Sequence, residues 1–358
     1  MADRENLYGR TRSELEHAVG KLGLPAYRGR QLYRWIYARS ATDFDSMTDL
    51  PRAVRAELAK HYSVRPPAVA GRHRSLDGTV KFLFGLEGDH AVEAVYIPDH
   101  PEDPSSKRAV RHTICLSTQV GCPLKCTFCY SGTVPFARNL TVGEILGQFG
   151  AVTRALLTIT TRVNVVFMGM GEPLLNSEAV LSALAVLTDP DGFAVSPRRI
   201  TVSTAGLAEE LERFAAAAPP VGLAVSLHAT TDDTRDRMMP INRKYPLEEL
   251  LAAARRLPLP RRRKITFEYV LLGGENDSER DARRLARLLT GIPAKVNLIA
   301  YNPWPGSPHR ASTDEATERF LGILLDAGYT ASLRRSRGDD ILAACGQLAG
   351  TAGPAPVG

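Results

Sequence analysis

Cysteines and long apolar runs are both scarce in this chain of 358 residues, and each scarcity removes a class of protein. Five cysteines, unevenly spread, are too few to staple a disulfide scaffold, so the fold must rest on a buried core, for which the length is ample. No apolar run is long enough to span a bilayer, and Met1-Ala-Asp-Arg-Glu-Asn6 carries no apolar signal segment. The expected setting is the cytoplasm, with no membrane partner. Acidic residues are the minority as well: 45 lysines and arginines against 39 aspartates and glutamates leave a formal charge of +6. That excess suits a polyanion but is weak on its own, because solvated surfaces often carry as much. The clustering says more, at Arg261-Arg262-Arg263-Lys264, at Arg334-Arg335-Ser336-Arg337, and at Lys21, Arg28, Arg30 and Arg34 near the amino terminus.

Four segments follow from the pattern of apolar and turn residues. Residues 1–65 read as a small all-helical module, with Leu32, Trp35 and Ile36 as apolar positions and Thr48-Asp49-Leu50-Pro51 as a turn. Residues 66–111 hold two strands, Lys81-Phe-Leu-Phe-Gly85 and Ala91 to Pro98, around the turn Glu87-Gly88-Asp89, then a charged, proline-containing connection from Asp99 to Arg111. From 112 to 348, six β-rich runs alternate with amphipathic helices: Thr113–Leu116, Asn164–Met168, Ile200–Ser203, Leu223–Leu227, Ile265–Leu271 and Val296–Ile299. Six βα units are too few for an eight-unit barrel, so the expected fold class is α/β, a partial (βα)6 barrel; a doubly wound sheet shares the same local pattern. Residues 349–358 read as a loose tail.

Three of the cysteines stand together as Cys122-Pro-Leu-Lys-Cys126-Thr-Phe-Cys129. A C-x3-C-x2-C triplet leaves a four-coordinate centre one ligand short. Structural zinc is closed by four protein ligands, whereas a [4Fe-4S] cluster on three thiolates keeps one iron free for a substrate. The alternatives are a zinc loop completed by Cys115 or His112, or a helical stripe of thiols; Pro123 and Tyr130-Ser131-Gly132 favour a loop over a helix. Other polar motifs follow the strand runs: Gly169-Met-Gly171-Glu172-Pro173, Ser203, Ser226-Leu227-His228 and Asn302. Each has a bland reading as a turn, cap or buried histidine, yet all fall at carboxyl ends of strands, where α/β folds carry ligands.

The triplet resembles the signature of radical S-adenosylmethionine (SAM) enzymes, with Phe128 as the aromatic residue that commonly precedes the third cysteine. Further strings make the likeness specific: Ser117-Thr-Gln-Val-Gly-Cys122, Arg138-Asn-Leu-Thr141, Gly169 to Asn176, Pro240-Ile-Asn-Arg-Lys-Tyr-Pro246, Lys295 to Ile299, Asn302-Pro-Trp-Pro-Gly306, Arg337-Gly-Asp-Asp-Ile341 and Ala344-Cys345-Gly-Gln-Leu348. In order, from about Leu22 to Leu348, they resemble the dual-specificity RNA adenine C2 methyltransferases, which act on 23S rRNA and on tRNA. The departures are Tyr130-Ser131-Gly132 in place of a small-residue run, and the longer Asp99–Arg111 connection.

The resemblance implies a [4Fe-4S] cluster on Cys122, Cys126 and Cys129, and SAM bound by Gly171, Glu172, Ser203, Ser226, Leu227, His228 and Asn302. It implies that Cys345 takes a methyl from one SAM, and that a second SAM yields the radical that draws hydrogen from that methyl. Cys115 then attacks Cys345 to release methylated RNA, leaving a disulfide that an external donor reduces. Glu93 matches an acidic residue assigned as proton acceptor. The protein is expected to be a monomer, with residues 1–65 binding RNA. Adenine C8 methyltransferases share the same cysteines, and a non-catalytic RNA-binding protein with a structural metal loop is the alternative from another class.

Overall fold

A computed structural model describes residues 4–99, 111–157, 162–260 and 262–350. Most of the connection after Asp99, Arg261 and the tail beyond Gly350 lie outside the described residues. The amino-terminal segment holds α1 (Arg12–Gly20), α2 (Tyr27–Tyr33), which continues as a wider turn over Arg34–Ala38, and α3 (Arg52–His61). A capping box starts α1: the Glu14 carboxylate accepts the Thr11 amide at 2.7 Å while the Thr11 hydroxyl accepts the Glu14 amide. The segment is not purely helical, because Glu5-Asn6 pairs in parallel with Tyr62-Ser63 and so closes the two ends of the module against each other.

One sheet of ten strands organises the rest. Its strands in chain order are β1 (Ala68–Arg74), β2 (Val80–Leu86), β3 (His90–Asp99), β4 (Arg111–Cys115), β5 (Val163–Phe167), β6 (Ile200–Thr204), β7 (Gly222–Ser226), β8 (Ile265–Leu271), β9 (Ala294–Ala300) and β10 (Thr330–Arg334). Neighbours in the sheet are neighbours in sequence throughout. From β4 to β10 every pairing is parallel, and β1 to β3 extend the sheet antiparallel past β4. A doubly wound sheet reverses its strand order partway, and this one never does. With crossovers of one hand, such an order puts the helices on one face and leaves the other concave.

The six expected βα units are present: α4 (Val142–Leu156), α5 (Ser177–Thr188), α6 (Ala208–Ala217), the pair α7 (Asp232–Met238) and α8 (Leu247–Arg256), α9 (Glu279–Leu288) and α10 (Asp314–Asp326) follow β4 to β9 in turn. Two strands of the ten-stranded sheet exceed the expectation. The edge strand β1, Ala-Val-Ala-Gly-Arg-His-Arg, alternates exposed and half-buried positions, and β10 reads Thr-Ala-Ser-Leu-Arg, so neither presents a long apolar run. The amino-terminal module docks on the core through Arg12 and Arg34, which reach Asp191 at 2.8 and 2.9 Å, with Arg12 also 3.1 Å from Asp189. The loose tail expected from residue 349 does not begin there: Ala349 is buried, and its amide and that of Gly350 are both hydrogen-bonded to Glu93.

Candidate active site: two adjoining cavities at the carboxyl edge

Leu116 to Cys129 leave β4 without forming a helix, and the triplet Cys122, Cys126, Cys129 lies in irregular turns, as Pro123 requires. The three thiols line a cavity of about 160 Å³ under the carboxyl ends of β5 to β9, shared with Gly171, Glu172, Ser203, Ser226, His228 and Cys345. Burial pushes the Cys122 thiol up to about 12, and burial and then the neighbouring thiols raise Cys126 well above the ordinary range. Cys129 is raised as well, again by burial first, although the amides of Gly132 and Ser131 point at its sulfur. Buried thiols crowded in this way ionise only when a positive centre arrives to hold them. Among the described residues no three His, Cys, Asp or Glu side chains converge as one metal ion would require, whereas a cubane offers its irons at separate corners. His112, a possible fourth zinc ligand, is committed elsewhere: its Nδ1 lies 2.7 Å from the Tyr96 hydroxyl.

Around the thiols the strand ends build a polar floor. Gly171 has φ +97°, and a Cβ there would stand 2.5 Å from that of Gln119, so only glycine lets the chain turn so close to the loop after β4. Next to it, the Glu172 carboxylate accepts the amides of Ala205 at 2.7 Å and Leu174 at 3.0 Å. Burial nevertheless raises it to about 7, so an ammonium group in the cavity would restore its charge. His228 accepts the Val270 amide on Nδ1 at 3.0 Å, packs edge-on against Phe128 at 4.9 Å, and is lowered to about 3 by burial and then by Arg235. It is held as neutral imidazole.

Two expected SAM contacts are placed differently. Leu227 is fully buried and lines neither cavity; its amide donates to the Glu268 carbonyl at 3.0 Å and its carbonyl accepts Arg235 Nε at 3.0 Å. Asn302 lines the neighbouring cavity and donates its amide to the Cys345 carbonyl at 3.1 Å. Glu93 also lines neither cavity, because Lys81 and the amides of Ala349 and Gly350 take up its carboxylate.

The second cavity, about 690 Å³, shares the wall formed by Cys345, Gly346 and Cys129 and contains Cys115. Its rim is basic, with Arg111, Arg198, Arg199, Arg334, Arg335 and Arg337. Cys115, at the end of β4, is pushed up to about 12 by burial and then by Cys345, with Arg334 opposing. Arg334 is itself raised, chiefly by Cys345, and also feels Glu268 and Cys115. Sequence reading missed Glu268, and it had counted Arg334 only as part of a basic run. It also missed Arg235, fully buried within a polar stretch that reads as a solvated helix; its guanidinium reaches the carbonyls of Ala205 at 2.6 Å and Ser226 at 3.2 Å and ties two strand ends together.

A family model for the radical SAM superfamily matches residues 116–286, and one for the ribosomal RNA large subunit methyltransferase N-terminal domain matches residues 5–64. The dual-specificity RNA methyltransferase RlmN of Acidiphilium cryptum is 49% identical over 358 residues, covering 97% of this chain and 90% of its own. The chain belongs to the RlmN family. The Geobacter sulfurreducens member is likewise 49% identical, with 96% of this chain and 92% of its own covered. Among solved structures, a radical SAM methyltransferase from Sphaerobacter thermophilus superimposes with a TM-score of 0.88 at 42% identity, over 97% of this chain and all of the other. A radical SAM member of the RlmN family carries a [4Fe-4S] cluster and SAM, and the thiol triplet with its polar floor fits both.

Proposed function

We propose that this protein methylates C2 of adenine in 23S rRNA and in tRNA, with Cys345 as methyl carrier and Cys115 as resolving thiol. The observation that carries the reading is the shared wall: Cys345 borders both the cavity of the cluster cysteines and the arginine-rimmed cavity that holds Cys115. Bound in the smaller cavity, the cluster and SAM would supply one-electron chemistry able to draw hydrogen from a methyl group, which suits a carbon too electron-poor for polar methylation. Cys122, Cys126 and Cys129 would hold the iron. Gly171, Glu172, Ser203, Ser226 and His228, which line the same cavity, would bind SAM. Arginines of the larger cavity receive the RNA phosphates, which would let the base approach Cys345.

In the last step the Cys115 thiol gives up its proton and its sulfur bonds to the Cys345 sulfur; the carbon–sulfur bond breaks, its electron pair leaves with the methylene carbon, and that carbon takes up a proton to become the methyl group of the released base. The resulting disulfide needs an outside reductant, consistent with a cytoplasmic monomer served by a separate electron donor; no helix among the described residues is long and apolar enough to cross a membrane. The test is purification of Cys115→Ala from cells, which should bring down covalently bound RNA, whereas the double variant with Cys345→Ala should not. Normal turnover by either single variant would sink the two-thiol route. Locating the methyl on C8 rather than C2 by mass spectrometry would keep the route and change the regiochemistry.

A further inference from the structure

Lys81 and Glu93 form an ion pair that is sealed from solvent, with side chains 2% and 1% exposed and Nζ 3.0 Å from Oε1. The sheet register brings them together: Lys81 stands opposite Val95 on β3 and Glu93 opposite Leu83 on β2, so the two are diagonal neighbours on one face. A charged pair so deeply buried is tolerated only when its remaining donors and acceptors are also used. Here they are used on a single segment of chain. Lys81 Nζ donates to the Leu342 carbonyl at 3.3 Å, just before Cys345, while Glu93 Oε2 accepts the amides of Ala349 at 2.9 Å and Gly350 at 3.1 Å, just after it.

The anchor is itself fixed to the site. The Glu93 carbonyl accepts the Ser117 hydroxyl at 2.6 Å, and the Ser117 hydroxyl oxygen in turn accepts the Met170 amide at 2.8 Å, beside Gly171. A carboxylate with one oxygen on an ammonium and the other on two amides has three of its four lone-pair sites taken, and Glu93 lines neither cavity.

We propose that the Lys81–Glu93 pair is a positioning clamp that holds the Cys345 loop across the wall between the two cavities, and that Glu93 takes no proton from the substrate. The proposal rests on Cys345 being the methyl carrier. The clamp fixes the loop on both flanks of the thiol, so that its sulfur faces the methyl donor from one side and the nucleobase from the other.

The experiment uses full-length, anaerobically cluster-loaded protein and the variants Glu93→Gln, Lys81→Met and Lys81→Arg. Alkylation of Cys345 by iodoacetamide is followed by peptide mass spectrometry with Cys115 as internal reference, alongside methyl occupancy of Cys345 and covalently bound RNA. Releasing the loop in Glu93→Gln and Lys81→Met should speed alkylation of Cys345 roughly tenfold with little change at Cys115, and lower its methyl occupancy in step. Neither variant should accumulate RNA adduct, Lys81→Arg should restore wild-type values, and iron content in Lys81→Met should match wild type. Unchanged Cys345 alkylation, equal acceleration at Cys115, or a Glu93→Gln protein that loads methyl normally and traps RNA would overturn the clamp. Wild-type protein with no methyl on Cys345 would instead remove the carrier reading, and the alkylation arm would still decide the clamp.

Discussion

The side-chain amide of Asn302, at the carboxyl end of β9, donates to the backbone carbonyl of Cys345 at 3.1 Å, while its oxygen is engaged by the Ser336 hydroxyl. A residue expected to touch SAM thus holds the loop that carries the candidate methyl carrier. Asn302→Ala should lower methyl loading of Cys345 several-fold while SAM affinity changes less, since one neutral hydrogen bond contributes about 1 kcal/mol. Loading of Cys345 at saturating SAM, measured beside SAM binding, separates the two roles. A large loss of affinity with full loading would return Asn302 to the SAM site.

Cys115 should be a slow thiol. With its ionisation pushed up to about 12 by burial, only a trace is thiolate near neutrality. Its alkylation rate in Cys345→Ala protein should climb about tenfold per pH unit between pH 8 and 10, and Arg334→Met, which removes the opposing charge, should slow it further. A pH-independent rate would show that access rather than ionisation limits this thiol.

Acid should weaken the fold through His228. The folded state holds this ring neutral down to about pH 3, whereas the unfolded chain takes up a proton near 6.5. Between those values the unfolded state binds more protons, so stability present above 6.5 declines as pH falls through the window, by up to about 1.4 kcal/mol per unit from this group. His228→Asn keeps an acceptor for the Val270 amide and cannot titrate; urea unfolding at pH 7, 6 and 5 should show a shallower decline for it than for wild type. Equal slopes would place the acid sensitivity elsewhere.

The amino-terminal charges divide into two jobs. Lys21 and Arg30 are exposed, and Arg28 lies over the Tyr27 ring at 4.7 Å, whereas Arg34 is spent on Asp191. Removing Lys21, Arg28 and Arg30 together should weaken RNA binding and flatten its salt dependence by about 0.7 to 0.9 in log–log slope per lost phosphate contact. Arg34→Ala should leave that slope alone and loosen the docking of the module, seen as faster amide exchange around Tyr37 and Phe193. If the triple variant binds with an unchanged slope, these charges only solvate the surface.

Local pattern and long-range pairing divide what the chain reveals before folding. Ile265–Leu271 and its companions announce themselves because central parallel strands are apolar on both faces, and β10 hides because an edge strand need not be. The cysteine triplet is legible since its ligands are close in sequence. Lys81 and Glu93 are not, because a strand register must first set them side by side, and Arg235 looks solvated until two strand ends arrive to take its hydrogens. Leu227, expected beside SAM, has its backbone groups taken by Glu268 on β8 and Arg235 on α7, pairings that only the folded sheet brings about.

The residues after Cys129 are stitched to the loop that holds Cys345, with the Tyr130 amide on the Gly346 carbonyl at 2.7 Å and the Ser131 hydroxyl on the Leu348 carbonyl at 2.6 Å. Stabilising either partner of such a contact stabilises the other by the same free energy. Whatever orders the turns from Cys122 to Cys129 therefore also helps to order the stretch from Cys345 to Leu348, so the two segments gain or lose their shape together.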